Sequence, residues 1–197
     1  MNKVKYCCDN IVIGNQVRIG CYSVIGEIGF GFERDEDGFK TPLKRRQHDF
    51  GVFLGDGVEL GANCVIEQGR WRDTYVGEGT KTASFVHIGH NARIGKDCII
   101  CSNTVVGGSA NIGDRVFIGL GVMIRDGITI GSDVTIAMGS IVVKDVPNGA
   151  TVMGNPAKQK NIIHSIKIKK RIEQVNNFPR IMSKVDHIIE QRAIKLP

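Results

Sequence analysis

The stretch Val86-His-Ile-Gly-His-Asn-Ala-Arg-Ile-Gly-Lys-Asp-Cys-Ile-Ile-Cys-Ser-Asn-Thr-Val-Val-Gly-Gly-Ser-Ala-Asn-Ile-Gly113 decides how this chain folds. Within it an aliphatic residue returns every six positions, at Ile88, Ile94, Ile100, Val106 and Ile112. Extending the step both ways adds Val76 and Thr82 before it and Ile118, Ile124, Ile130, Ile136 and Val142 after it, so that every position but Thr82 is Ile or Val. A helix repeats every ~3.6 residues and a strand every second residue, so no amphipathic helix or ordinary meander keeps a six-residue register for so long. Glycine often follows the aliphatic (Gly77, Gly89, Gly95, Gly107, Gly113), and the residue four places after it is small or β-branched (Ala92, Cys98, Thr104, Ala110, Val116). Both sets are expected to point inward. Self-similarity at a short fixed period is the mark of a solenoid, whose coils contact only their neighbours.

Outward from this block, the same pattern runs in two shorter frames, Ile13, Ile19, Ile25 and then Leu54, Leu60, Ile66, each out of phase with the next. Two excursions must separate them, near 27–53 and 67–75. Hexapeptide repeats of this kind resemble the left-handed parallel β-helix of the hexapeptide acyltransferase superfamily. That resemblance implies an all-β fold with triangular coils of three hexapeptides, about 18 residues each, and so about six coils. The period stops after Val146-Pro147. Residues 1–157 are therefore expected to form the β-helix domain, and residues 158–197 a basic helical segment, where Ile181, Val185, Ile188 and Ile189 follow helical spacing.

Composition agrees with strands and tight turns. The chain of 197 residues carries 26 Ile, 20 Val and 25 Gly against 5 Leu, which excludes a helical bundle for most of its length. The formal charge of +6 would suit nucleic acid until it is located. Residues 158–197 hold 10 Lys+Arg and 3 Asp+Glu, a net of +7, leaving 16 against 17, or −1, for residues 1–157. The basic character thus belongs to the tail and fits a thioester donor or its acidic carrier better than nucleic acid. Six cysteines without a signal-peptide start, and no apolar run of membrane length, lead to the expectation of a soluble cytoplasmic protein with no membrane span. Cys98 and Cys101 have the spacing of half a zinc site, but no second Cys/His pair follows, so no metal is expected.

Chemistry gathers at His90. It lies two residues after the inward Ile88 and beside Asn91, and one coil later, 18 residues on, stands Gly108. Neighbouring strands lie about 4.8 Å apart, so an imidazole and a side-chain-free backbone N–H would flank one small volume. That pair suits acyl transfer from a thioester to an amine: a neutral imidazole with pKa near ~6.5 takes the amine proton, and the backbone N–H holds the oxyanion. Cys101 has no obvious activating partner for a nucleophilic role.

More specifically, Gly26-Glu-Ile-Gly-Phe-Gly-Phe32, Val58-Glu-Leu-Gly-Ala-Asn-Cys-Val-Ile66, Arg72-Asp-Thr74 and Val86-His-Ile-Gly-His-Asn-Ala-Arg-Ile-Gly95 resemble the UDP-3-O-acylglucosamine N-acyltransferase family of lipid A biosynthesis. From Gly89 to Lys158 the chain is equally similar to the N-acetyltransferases of nucleotide-linked 4-amino sugars, through the exit Gly154-Asn-Pro-Ala-Lys158. These resemblances imply that His90 is the general base and that the Gly108 amide is the oxyanion donor. They also imply a homotrimer with active sites between subunits, a nucleotide-linked amino sugar as acceptor, and acyl-CoA (acetyl-CoA first) or an acyl carrier protein thioester as donor. Gly154, Asn155 and Lys158 are the expected cofactor-binding residues. The chain departs from the lipid A pattern at Glu67-Gln68-Gly69, Ala83-Ser84 and Gly127, which points to another nucleotide-activated amino sugar.

His87, Asn91, Phe30, Phe32, Arg70 and Trp71 are the expected substrate-binding residues, the aromatics as covers and the arginine for phosphate. Three rival readings compete with this one. A sugar or serine O-acetyltransferase needs a longer loop than Met123-Ile-Arg-Asp-Gly127, and a zinc-dependent carbonic anhydrase needs a histidine spacing that His87 and His90 lack. A non-catalytic β-helix scaffold would make His90 incidental.

Overall fold

The computed structural model describes residues 3–33 and 43–159. They form a parallel β-solenoid with three faces and no helix. The first face stacks seven strands: Lys5–Tyr6, Val24–Glu27, Val65–Glu67, His87–Ile88, Val105–Val106, Met123–Ile124 and Ile141–Val142. The second is six-stranded and includes Val52–Leu54, Thr74–Val76, Arg93–Ile94 and Asn111–Ile112, and the third is eight-stranded. Seven layers on the first face slightly exceed the six expected from the repeat count. The added layer comes from the N-terminal frame, where Lys5–Tyr6 pairs in parallel with Val24–Ile25.

The register reproduces the period. His87 lies beside Val105 and Ile88 beside Val106, and on the second face Arg93 lies beside Asn111 and Ile94 beside Ile112. Each step of 18 residues is one coil. The inward aliphatics Ile88, Ile94, Ile100, Val106 and Ile118 are buried, and so are the small residues Ala92, Cys98, Thr104 and Ala110 that fill the corners. Burying one such Ile contributes on the order of 1.5–3 kcal/mol, and stacking repeats that contribution along the axis.

Each corner turns on a residue in the left-handed backbone region, three places after the inward aliphatic. Asn91, Asp97, Asn103, Ser109 and Asp133 occupy it with φ between 53° and 61°, and glycine does so at Gly121, Gly127 and Gly139. Asn, Asp and Gly tolerate that conformation best, which is why they recur at this place in the sequence.

At its C-terminal end the solenoid closes with a reversal. Thr151–Met153 joins the third face, and Lys158–Gln159 folds back antiparallel on it. Lys158 is therefore strand, not the start of a helix as its spacing suggested, because its backbone completes the edge of the sheet. The remainder of the expected helical segment, 160–197, and the tip of the first excursion, 34–42, lie outside the described residues.

Candidate active site

The corner between the first and second faces carries the chemistry. After the strand His87–Ile88, residues Gly89 to Ala92 form a tight turn, closed by the Ala92 N–H donating to the Gly89 carbonyl at 3.2 Å. His90 and Asn91 are its central residues, with Asn91 at φ +58°. The next coil repeats the turn over Gly107 to Ala110, which places Gly108 directly over His90, and the Ser109 N–H donates to the His90 carbonyl at 2.7 Å. The absence of a side chain at 108 keeps the imidazole edge clear: a Cβ there would lie 2.9 Å from both Nε2 and Cε1 of His90. Among the described residues the Gly108 N–H has no hydrogen-bond acceptor.

Three further groups close on the imidazole. Glu67, at the end of the neighbouring strand, accepts the His90 backbone N–H at 2.9 Å through Oε2, and its Oε1 lies 3.3 Å from His87 Nε2. Its side chain is only 11% exposed. Burial by itself raises the Glu67 pKa, but the hydrogen bonds from His87 and the His90 N–H outweigh it and hold the group as a carboxylate, below its usual range. His48 comes from the returning limb of the first excursion. Its ring stands 5.5 Å from His90 at 76°, its Nδ1–H donates to the Arg46 carbonyl at 2.9 Å, and its carbonyl accepts from Gln68 Nε2 at 3.0 Å. Trp71, from the second excursion, flanks His90 on another side at 5.9 Å and 72°.

Burial is the main reason that the His90 imidazole titrates below its ordinary value. The Glu67 carboxylate opposes this, while His48, Arg70 and Arg46 act in the same direction as burial. The ring is neutral near pH 7.

The expected site residues separate into groups. His90, Gly108, His87 and Trp71 converge on the corner, and the Arg70 guanidinium stacks on Trp71 at 5.5 Å. Asn91 is there too, but fully buried with its polar groups committed. Its Oδ1 accepts the backbone N–H groups of Arg70 and Trp71 at 2.7 and 3.1 Å, and its own N–H donates to Thr74 Oγ1. It fastens the second excursion to the corner instead of facing solvent. Phe30 and Phe32 form an edge-to-face pair at 5.2 Å in the first excursion, with Phe30 86% exposed and Arg45 over Phe32. Gly154, Asn155 and Lys158 sit at the solenoid's exit, one layer beyond the strand Ile141–Val142. That is four strand spacings from His90, about 19 Å along the axis.

Two residues of the corner were not singled out from the sequence. Glu67 was visible only as a departure from a family pattern, and His48 only as one polar residue in an irregular excursion.

Comparison with known proteins places the repeat and the corner in context. Residues 73–108 match the family model described as bacterial transferase hexapeptide (six repeats), and residues 110–144 match the hexapeptide repeat of succinyl-transferase. Over 148 residues the chain is 49% identical to the UDP-3-O-acylglucosamine N-acyltransferase of Caulobacter vibrioides, a match covering 75% of this chain and 42% of the relative. The enzyme of the same name from Methylobacterium nodulans is 41% identical over 148 residues, covering 75% of this chain and 41% of the relative. The chain thus spans less than half the length of these curated relatives. Among solved structures, a UDP-N-acetylglucosamine acyltransferase superposes with a TM-score of 0.70 at 24% identity, covering 88% of this chain and 65% of the other. A GDP-perosamine N-acetyl transferase mutant from Caulobacter crescentus, in complex with CoA and GDP-perosamine, superposes with a TM-score of 0.51 at 21% identity, covering 80% and 57%. Both share the solenoid fold.

Proposed function

We propose that this chain carries the transfer centre of an N-acyltransferase, which moves an acyl group from a thioester to the amine of a nucleotide-linked amino sugar. The observation that carries the reading is the corner itself: a neutral imidazole lies against Gly108, whose N–H is unpaired among the described residues. Attack of an amine on a thioester develops negative charge on the carbonyl oxygen and requires the amine to shed a proton. The corner brings groups for both demands to one point, and the curated relatives named above are N-acyltransferases of an acylated glucosamine.

The donor in this reading is acyl-CoA, acetyl-CoA first, or the thioester of an acyl carrier protein. Gly154, Asn155 and Lys158 lie too far along the axis, and at a different edge of the solenoid, to touch the reacting carbonyl, so they would hold only the distant part of an extended donor. Arg70 and Trp71 offer a cation and a half-exposed ring to the nucleotide or sugar, with Phe30 and Phe32 as a further apolar surface.

Assembly follows from the outer surface. Val105 and Met123 on the first face, Ile99 and Phe117 on the third, and Phe85, Leu120 and Met138 at the corner between them are exposed large apolar side chains. A contiguous apolar surface of this kind marks an interface. The first face leads directly into the His90 corner, so a homotrimer packed through it would place active sites between subunits.

The test is incubation of the full chain with UDP-, dTDP- and GDP-linked amino sugars and with acetyl-CoA, longer acyl-CoAs or acyl carrier proteins, read by mass spectrometry. The expected result is an amine-acylated sugar for at least one pair, lost in His90→Ala with the circular dichroism unchanged. No acylated product from any pair would overturn the proposal.

A further inference from the structure

Resting on the transfer reading above, we propose that Arg46 and Arg70, one from each excursion, form a cradle for the diphosphate of the nucleotide-linked acceptor, with Phe30 as the platform for its base. The two excursions are sewn together at their bases. Gln68 Nε2 donates to the His48 carbonyl at 3.0 Å, the Phe50 N–H to the Gly69 carbonyl at 3.1 Å and the Gly69 N–H to the Gly51 carbonyl at 3.0 Å. Arg46 lies two residues before His48 and Arg70 two residues after Gln68, so the seam brings both to the His90 corner. Each backbone is pinned there. The Arg46 N–H donates to the Gly31 carbonyl at 2.9 Å, and the Arg70 N–H donates to Asn91 Oδ1 at 2.7 Å.

The two arginines belong to two sides of the corner. On one, His48 donates from Nδ1 to the Arg46 carbonyl and sets its ring 5.5 Å from His90. On the other, the Arg70 guanidinium stacks at 5.5 Å on Trp71, whose ring is 5.9 Å from His90. Both charges reach the imidazole and push its pKa down. The protein itself neutralises them poorly. Among the described residues the only carboxylate within ion-pair reach of either is Glu33, whose Oε2 stands 3.9 Å from Arg46 Nε. That is beyond hydrogen-bond distance, and the buried Nε has no acceptor. Glu67, the carboxylate of the corner, is spent on His87 and the His90 N–H. Arg115 shows the contrast, since Asp133 closes its fork with bonds of 2.7 and 2.8 Å.

Guanidinium groups left without a carboxylate call for an anion from outside. Each offers a planar fork that takes two phosphate oxygens at once. A single phosphate satisfies one fork, whereas a diphosphate brings two adjoining anionic groups, one for each arginine. The Arg46 side chain is 41% exposed, which leaves its charged end open to such a ligand. Its stem packs on Gly31, with Cδ 3.5 Å from where a Cβ there would stand, and the neighbouring Phe30 leans edge-to-face on Phe32 at 5.2 Å. Phe30 is 86% exposed, so most of its ring is free to stack on a base. The order of base, diphosphate and sugar then runs from the rim of the first excursion to the corner.

The experiment is calorimetric titration of the full chain with UDP, GDP, dTDP and inorganic pyrophosphate, with uridine as the unphosphorylated control. Diphosphates are expected to bind, more weakly as salt rises, and uridine is not. Arg46→Ala and Arg70→Ala should each raise Kd about 10- to 100-fold, the usual effect of losing a charge-assisted hydrogen bond, with the circular dichroism unchanged. Arg46→Lys, which keeps the charge but not the fork, should fall between Arg46→Ala and the unaltered chain. Phe30→Ala should weaken the nucleoside diphosphates and leave pyrophosphate as it was. Arg115→Ala is the control and should bind as the unaltered chain does. The proposal is overturned if no diphosphate binds, if Arg46→Ala and Arg70→Ala keep full affinity, or if Arg115→Ala loses as much as they do. It is equally overturned if these variants weaken binding of an acyl carrier protein and leave UDP untouched, which would make the arginines a protein dock. Arginine-dependent binding of UDP by a chain that acylates no amino sugar would sink the transfer reading and keep the cradle, while amine acylation with an unchanged KM in Arg46→Ala would do the reverse.

Discussion

Gly108→Ala perturbs the candidate site through one methyl group. Gly108 is not among the residues in the left-handed region, so the backbone accepts alanine there. The new Cβ would meet His90 Nε2 and Cε1 at 2.9 Å, some tenths of an ångström inside ordinary contact. The imidazole has little room to yield, because Nδ1 is held by Asn91 and the ring is flanked by His48 and Trp71. Relief by rotating His90 off its rotamer costs about 0.5–1.5 kcal/mol. Lower chain entropy in the unfolded state returns about 0.4–1 kcal/mol, so net stability should change by less than ~1 kcal/mol. Catalysis should respond far more, since a displacement of about 1 Å in a reacting group can cost ~10²-fold. The assay is kcat for amine acylation beside a urea unfolding curve, with Gly149→Ala as a control. Gly149 has φ +67° and open space around it, so alanine there strains the backbone by about 1–2 kcal/mol but leaves the corner untouched. The reasoning fails if Gly108→Ala keeps near wild-type kcat, or if Gly149→Ala loses as much activity.

Two further outcomes are expected. Removing the Glu67 carboxylate with Glu67→Gln takes away the negative charge that favours protonated His90, so the acid limb of kcat/KM should move to lower pH, since a lower imidazole pKa keeps the neutral form further down the scale; a limb that stays put or moves upward contradicts the electrostatics. Met123→Glu and Phe117→Glu, on the first and third faces, should convert an assembled oligomer to monomer in light scattering and lower kcat with it, and an unchanged mass would show that this apolar surface is not the interface.

Residues 86–113 illustrate how much was legible before any coordinates. In a solenoid the spatial neighbour of a residue is the one a fixed number of positions later, so register becomes arithmetic. His90 over Gly108 and His87 beside Val105 follow from counting to 18, and the scarcity of Leu follows from corners that hold small or β-branched residues, from Ala92 and Ser140 to Val122 and Ile128. The same arithmetic misled at Lys158, where the period had ended and the edge of the third face, not local spacing, decided the backbone.

The sequence by itself determined the solenoid, its coil length and the pairing of an imidazole with a glycine, because those depend on a repeated local pattern. Only the tertiary structure decided that Glu67, His48 and Trp71 enclose the ring, that Asn91 is spent on fastening the second excursion, and that Gly154 and Lys158 lie four layers, about 19 Å along the axis, beyond the His90 coil. The excursions leave the period, so nothing in their spacing says where they return. Their path is set by hydrogen bonds such as Gln68 Nε2 to the His48 carbonyl and the Phe50 N–H to the Gly69 carbonyl, formed between residues about twenty positions apart, which exist only once the coils have stacked.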